Sequence, residues 1–152
     1  MKNITEQMLE FIDASPTCFH VVDNLKKELA DRGYVELKES EEWELKPGKF
    51  FVTRNDSSVI SFRIPDKKFK GFYLIASHSD SPSFKIKENP EMEEVSAYVK
   101  LNTEKYGGML CAPWFDRPLS VAGRLIVRDG KGGFVSKLVN VDRDLLMIPS
   151  LA

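Results

Sequence analysis

The chain has 152 residues, with 22 Lys and Arg against 23 Asp and Glu, a formal net charge of -1, 42% hydrophobic and 30% charged residues. This is the composition of an ordinary folded domain, which excludes disorder as the main state. Interspersed charges leave no broad basic face to neutralise phosphates, so nucleic acid is not an expected partner. No apolar run approaches the roughly 20 residues of a membrane helix, and the N-terminus lacks a signal-peptide pattern. Cys18 and Cys111 are too few for a disulfide framework. The expectation is a cytoplasmic protein with no membrane partner, long enough to bury about 70% of its unfolded-chain surface if the chain is complete.

Ile4, Met8, Phe11 and Ile12 fall on one stripe of a short amphipathic helix. Ser15 reads as the N-cap of a second helix with Pro16 at its first position, and Phe19, Val22, Leu25 and Leu29 repeat at helical spacing until Gly33. From Trp43 the pattern changes to strands. Phe50 to Thr53 and the alternating Ile60, Phe62 and Ile64 flank a turn at Asn55-Asp56-Ser57, which predicts a hairpin. Gly71 to Ala76 is apolar without alternation and reads as a central strand covered on both faces. Lys87 to Glu94, containing Pro90, reads as a polar connection, followed by a strand in which Val95, Ala97, Val99 and Leu101 alternate with polar residues. Leu125 to Val127 and Phe134-Val135 bracket the hairpin loop Asp129 to Gly133, and Leu145 to Ile148 reads as one more strand. A domain boundary is placed near residue 90. The chain stops at Ile148-Pro149-Ser150-Leu151-Ala152, straight after an apolar strand, and reads as a piece of a longer protein.

Chemistry concentrates at Ser77-His78-Ser79-Asp80-Ser81-Pro82, just after the predicted central strand, where open α/β sheets place their sites. In an extended segment residues i and i+2 point the same way, so His78 and Asp80 can serve one feature: a metal held by the imidazole, or a proton shared between them. His-x-Asp alone is unspecific. On spacing alone the pair reads more readily as a histidine at a strand end and an aspartate opening a turn with Ser81-Pro82.

The element His78-Ser79-Asp80-Ser81-Pro82 resembles the first metal-binding motif of the aspartyl aminopeptidase family of cocatalytic zinc peptidases. Ser15-Pro16-Thr17-Cys18-Phe19-His20 is similar to that family's N-terminal element. Tyr106-Gly107-Gly108, Trp114-Phe115-Asp116-Arg117-Pro118-Leu119 and Val121-Ala122-Gly123-Arg124 resemble its most recognisable block, and Leu146 to Ala152 resembles a further segment. The resemblance runs in order from about residue 10 to the last residue.

It implies an α/β fold: residues 1–90 as the N-terminal portion of a zinc-peptidase catalytic domain, and 91–152 as the beginning of a β-rich inserted dimerisation domain. It implies that His78 is a ligand of one of two zinc ions and that Asp80 is the catalytic-site carboxylate that orients this ligand or tunes the metal. The other ligands and the general-base glutamate of the family lie downstream of anything in this chain. The implied function is zinc-dependent removal of the N-terminal residue, possibly acidic, of peptide substrates by a homo-oligomer, with this chain alone inactive. The alternative is a non-catalytic assembly module that keeps the fold without the chemistry. His20 reads as a packed helix residue, Cys18 and Cys111 as small buried hydrophobes, and Gly130 to Gly133 as a hairpin rather than a phosphate loop. Asp116 and Arg117 read as a structural ion pair, and Trp114-Phe115 as candidates for an interface.

Overall fold

The computed structural model describes residues 3–92 and 98–150. In chain order its elements are helices α1 (Ile4–Asp13) and α2 (Cys18–Asp31), then strands β1 (Val35–Leu37), β2 (Gly48–Arg54), β3 (Ser58–Ile64), β4 (Ser83–Met92), β5 (Lys100–Tyr106), β6 (Ala122–Arg128) and β7 (Phe134–Asn140). They gather into two compact units, one from Met1–Ser79 with Ser120–Arg143, the other from Asp80–Leu119 with Asp144–Ala152. The break at residue 79/80 precedes the boundary expected near 90, and the β6–β7 hairpin groups with the helices.

In the first unit, α1 is started by a capping box: Asn3 Oδ1 accepts from Glu6 N at 2.8 Å, and Glu6 Oε2 accepts from Asn3 N at 2.9 Å. α2 begins two residues later than expected, with Thr17 rather than Ser15 as N-cap. The Ser15 hydroxyl is otherwise engaged, accepting from Asn24 Nδ2 at 3.1 Å while the same amide reaches Ala14 O at 2.9 Å. The helix stops at Asp31 with Arg32 as C-cap, and Gly33 is the stop that follows, as expected. With φ +76, Gly33 lets its own N–H reach Ala30 O and that of Tyr34 reach Leu29 O, both at 2.9 Å, closing the Schellman pattern.

A three-stranded mixed sheet follows in the order β1-β2-β3, parallel then antiparallel. The predicted hairpin is β2–β3. Its turn works because Asn55 and Asp56, at φ 52 and 49, are residue types that tolerate the left-handed region, and Ser57 N donates to Arg54 O at 3.1 Å. α2 packs on this sheet and on β6. Val22 of α2, 0% exposed, and Phe51 of the central strand, 2% exposed, are the buried hydrophobic side chains of the described residues. Phe50 and Val52, with their cross-strand partners Phe62 and Ile60, share the face opposite Phe51. That face is open, with Ile60 67% exposed.

The β6–β7 hairpin is where the sequence places it, and Asp129 Oδ1 ties its loop by accepting from Lys131 N at 2.7 Å and Gly133 N at 2.9 Å. A Cβ on Gly133 would lie 2.6 Å from Asp129 Oδ2, so a side chain there would have to displace the carboxylate that ties the loop. Arg124 of β6 joins three elements of this unit. Its guanidinium carbon stacks 4.0 Å from the Phe19 ring centroid on α2, and Nη1 donates to Asn55 O at 2.6 Å and to Asn55 Oδ1 at 3.2 Å in the β2–β3 turn. Arg124→Ala is expected to cost the first unit about 1–2 kcal/mol, the combined scale of a partly solvated cation–π contact and charge-assisted hydrogen bonds. Urea titration is expected to show a lower midpoint with an unchanged slope, and Arg124→Lys to recover only part of the loss, because an ammonium lacks the planar guanidinium that stacks on the Phe19 ring.

Two elements differ from expectation. Gly71 to Ala76 forms no strand, and Phe72, Tyr73, Leu74 and Ile75 are 81%, 104%, 90% and 102% exposed rather than covered on both faces. A strand exists by hydrogen bonding to a neighbour, and among the described residues no segment offers this stretch an edge. In the second unit, the expected polar connection from Lys87 is instead part of strand β4, antiparallel to β5. Pro90 is accommodated because the register shifts between Ile86 and Glu91, with Asn89 at φ 52, so no ladder bond is asked of the proline nitrogen. Val95 to Ala97, the first part of the alternating run, lie outside the described residues, and β5 starts at Lys100.

The expected last strand is present as two isolated bridges, Leu119 with Leu146 and Phe115 with Ile148. Among the described residues no helix is long and apolar enough to cross a membrane. The chain exposes 13071 Å². Self-contained bodies of these two sizes would expose roughly 9,300 Å² together by the usual mass scaling. The excess says that much apolar surface remains uncovered.

Candidate metal site

The residues with the most chemistry lie where the two units meet in sequence. His78 is exposed, near the end of the unpaired apolar stretch. Ser79 Oγ donates to Ser57 O at 3.3 Å, which ties the segment to the β2–β3 turn in the first unit. Asp80, half-buried, opens the second unit, and its Oδ2 accepts from the Tyr106 hydroxyl at 2.7 Å. Tyr106 ends β5 opposite Ser83, the first residue of β4, so strand register delivers the phenol to the carboxylate. In the sequence Tyr106-Gly107-Gly108 is visible as a motif without a role for its tyrosine, whose one signal is a polar tip on a ring that closes a strand.

The remaining candidates fall into structural roles. His20 stands at the third position of α2, where Nδ1 lies 2.8 Å from the Thr17 Oγ1 of the N-cap. Burial disfavours its imidazolium and holds its pKa below the ordinary histidine value, with Asp23 opposing in part. Cys18 and Cys111 are half-buried free thiols. Asp116 does not pair with Arg117 as expected. Its left-handed backbone, φ 54, turns the carboxylate to Ser150, whose N donates to Oδ1 at 2.9 Å and whose hydroxyl donates to Oδ2. These bonds hold the Asp116 carboxyl below the usual carboxylate range. Among the described residues Arg117 reaches the Pro113 carbonyl, at 3.5 Å. Trp114 packs edge-on against Phe84, with centroids 5.5 Å apart. A surface hollow along Asp116 to Pro118 and Asp144 to Met147 includes none of His78, Asp80 and Tyr106.

An imidazole and a carboxylate are the donor types zinc takes, but a catalytic zinc needs about three protein ligands. Among the described residues no three of His, Cys, Asp and Glu are gathered to hold a metal ion. The donors of this chain therefore suit zinc in kind and do not make a site by themselves.

Comparison with known proteins bears directly on this shortfall. The chain is 50% identical over 159 aligned residues to a "Probable M18 family aminopeptidase 2" of Clostridium acetobutylicum, with 100% of this chain and 37% of that protein covered. It is 41% identical to the "Aspartyl aminopeptidase" of Dictyostelium discoideum, with 97% and 31% covered. Among solved structures it matches Chaetomium thermophilum mApe1 with a TM-score of 0.91 at 40% identity, covering 97% of this chain and 35% of that one. The S. cerevisiae mApe1 dodecamer matches at 0.91 and 29% identity, with 98% and 36% covered. The chain thus spans about a third of the length of the curated relatives it matches. The model of the family described as "Aminopeptidase I zinc metalloprotease (M18)" matches residues 11–152, and this α/β chain belongs to that family of metallo-aminopeptidases.

Proposed function

We propose that this chain supplies the N-terminal part of a zinc-dependent aminopeptidase that removes the first residue of peptides, and that it does not act alone. The observation that carries the reading is the family match from residue 11 to 152, within which the one His-x-Asp element, His78 and Asp80, stands directly after the apolar stretch. His78 provides one ligand through a neutral imidazole nitrogen, and Asp80 is the carboxylate that fixes that ligand or tunes the metal. Zinc, two ions in the complete enzyme, supplies Lewis acidity and a water of lowered pKa. The other ligands and the proton-accepting carboxylate come from outside these residues.

In the same proposal residues 1–90 belong to the catalytic domain, and residues 91–152 open an inserted β-rich oligomerisation domain. Cytoplasmic location, peptide substrates and assembly into a homo-oligomer belong to the proposal too. An acidic N-terminal preference is supported by the name of the Dictyostelium relative.

The test is a chimaera in which this chain replaces the matching 37% of the C. acetobutylicum relative. Zinc-dependent release of N-terminal residues by the chimaera, with none from the 152-residue chain, is the expected result. A second reading is a non-catalytic assembly module that keeps the fold without the chemistry. A chimaera that folds and oligomerises but turns over no peptide, whatever the metal, would replace the first reading by the second.

A further inference from the structure

We infer that Tyr106 is a positioning residue for the proposed metal site, acting through Asp80; the inference rests on the reading of His78 and Asp80 given above. The geometry is local to the second unit. The Tyr106 hydroxyl donates to Asp80 Oδ2 at 2.7 Å, a short bond to a charged acceptor of the kind that fixes orientation. Two further observations show that the approach is built rather than incidental. Tyr106 is in register with Ser83, three residues after Asp80, and the same ladder is flanked by the Lys85–Glu104 ion pair at 3.6 Å.

Next to Tyr106, Gly107 takes φ +75, and a Cβ built there would lie 3.5 Å from Pro82 Cβ and Cγ. The chain therefore turns away from β5 directly against the Asp80-Ser81-Pro82 segment. Motif blocks that lie 26 positions apart are thus one structural feature. One block carries the carboxylate, the other the donor that holds it. A carboxylate free to rotate would spend part of its time unable to serve the histidine two residues before it. The phenol restrains the carboxylate without adding charge.

The experiment uses the chimaera and three variants, Tyr106→Phe, Asp80→Asn and the double variant, with zinc affinity from chelator competition read beside kcat and KM. Tyr106→Phe keeps the ring and removes only the hydroxyl. It is expected to lower zinc affinity and kcat each by about 10-fold or more, the scale for partners of metal ligands, with KM little changed. The double variant is expected to be no worse than Asp80→Asn, because the Tyr106 hydroxyl reaches the site through that carboxylate. This non-additivity separates positioning from general destabilisation, which would add to the Asp80→Asn loss. Wild-type zinc affinity and kcat in Tyr106→Phe, with both reduced in Asp80→Asn, would overturn the inference and leave the metal-site reading standing. Additive losses would overturn it likewise. If Asp80→Asn and a His78→Ala variant also match the wild type, the metal-site reading falls and takes this inference with it.

Discussion

His78→Ala in the chimaera is expected to abolish zinc-dependent peptide hydrolysis, a loss exceeding the roughly 10- to 100-fold that removal of a ligand's partner costs. The reason is one of number. A catalytic zinc is held by about three protein ligands, so losing one of them removes a large part of the metal's binding. Asp80 acts one step further out, and Asp80→Asn keeps the shape of the side chain while removing its charge. The expected order of damage is therefore His78→Ala well above Asp80→Asn, in activity and in zinc retained after dialysis. Equal activity in His78→Ala and the parent chimaera would overturn the proposal outright. An aspartate variant worse than the histidine variant would exchange their roles. The isolated chain provides the complementary control, since in it both substitutions are expected to change nothing.

Phe51→Ala is expected to be the most costly single change to the folding of this chain, about 3–5 kcal/mol for removing a buried aromatic side chain. Phe51 sits in the middle strand of the β1-β2-β3 sheet, and with Val22 it forms the whole fully buried hydrophobic set of the described residues. Whole domains are stable by only about 5–15 kcal/mol, and a chain with so much uncovered surface belongs at the low end, so the variant is expected to lose the cooperative thermal transition of the first unit. Ile60→Ala, on the open face of the same sheet, is expected to cost under about 1 kcal/mol, because its side chain already meets solvent. Equal losses in the two variants, read by circular dichroism, would show that the core is not centred on Phe51.

The features that could be read from the amino acids are those decided within a few neighbouring residues. Both helices follow from the apolar repeats and from Gly33, and the β2–β3 and β6–β7 hairpins follow from turn residues between β-rich runs. Local competition misled the placement of the α2 cap. Ser15 is a good cap by type, but Asn24, nine residues on, takes its hydroxyl. β4 was hidden by composition, since Pro90 and a run of charges look like a loop unless a bulge is there to absorb the proline. The stretch from Gly71 to Ala76 shows the opposite limit. Its residues are those of a central strand, yet strand formation is a property of a pair, and no partner is present among the described residues.

The candidate site divides along the same line. The local pattern His78-x-Asp80 was visible, whereas the Tyr106 bond to Asp80 depends on the β4–β5 register, and the Asp116 bonds to Ser150 depend on a left-handed residue and contacts 34 positions away. Arg124 over Phe19 is of this second kind, two motif residues brought together only by folding.

The exposed stretch from Gly71 to Ser77 bears on how copies of this chain meet one another. Gly71 to Ser77 is a seven-residue window without charge or proline and with strong β-propensity, the composition that stacks into cross-β aggregates when displayed to other copies. Immediately before it stand Lys67, Lys68 and Lys70, all exposed. Charges placed at the border of such a window act as gatekeepers, because stacking identical chains would bring like charges into register. Three exposed lysines at the border of the exposed segment thus oppose its stacking against the same segment of another copy. Neutralising all three is expected to raise the yield of inclusion bodies while leaving the fold of the soluble fraction unchanged.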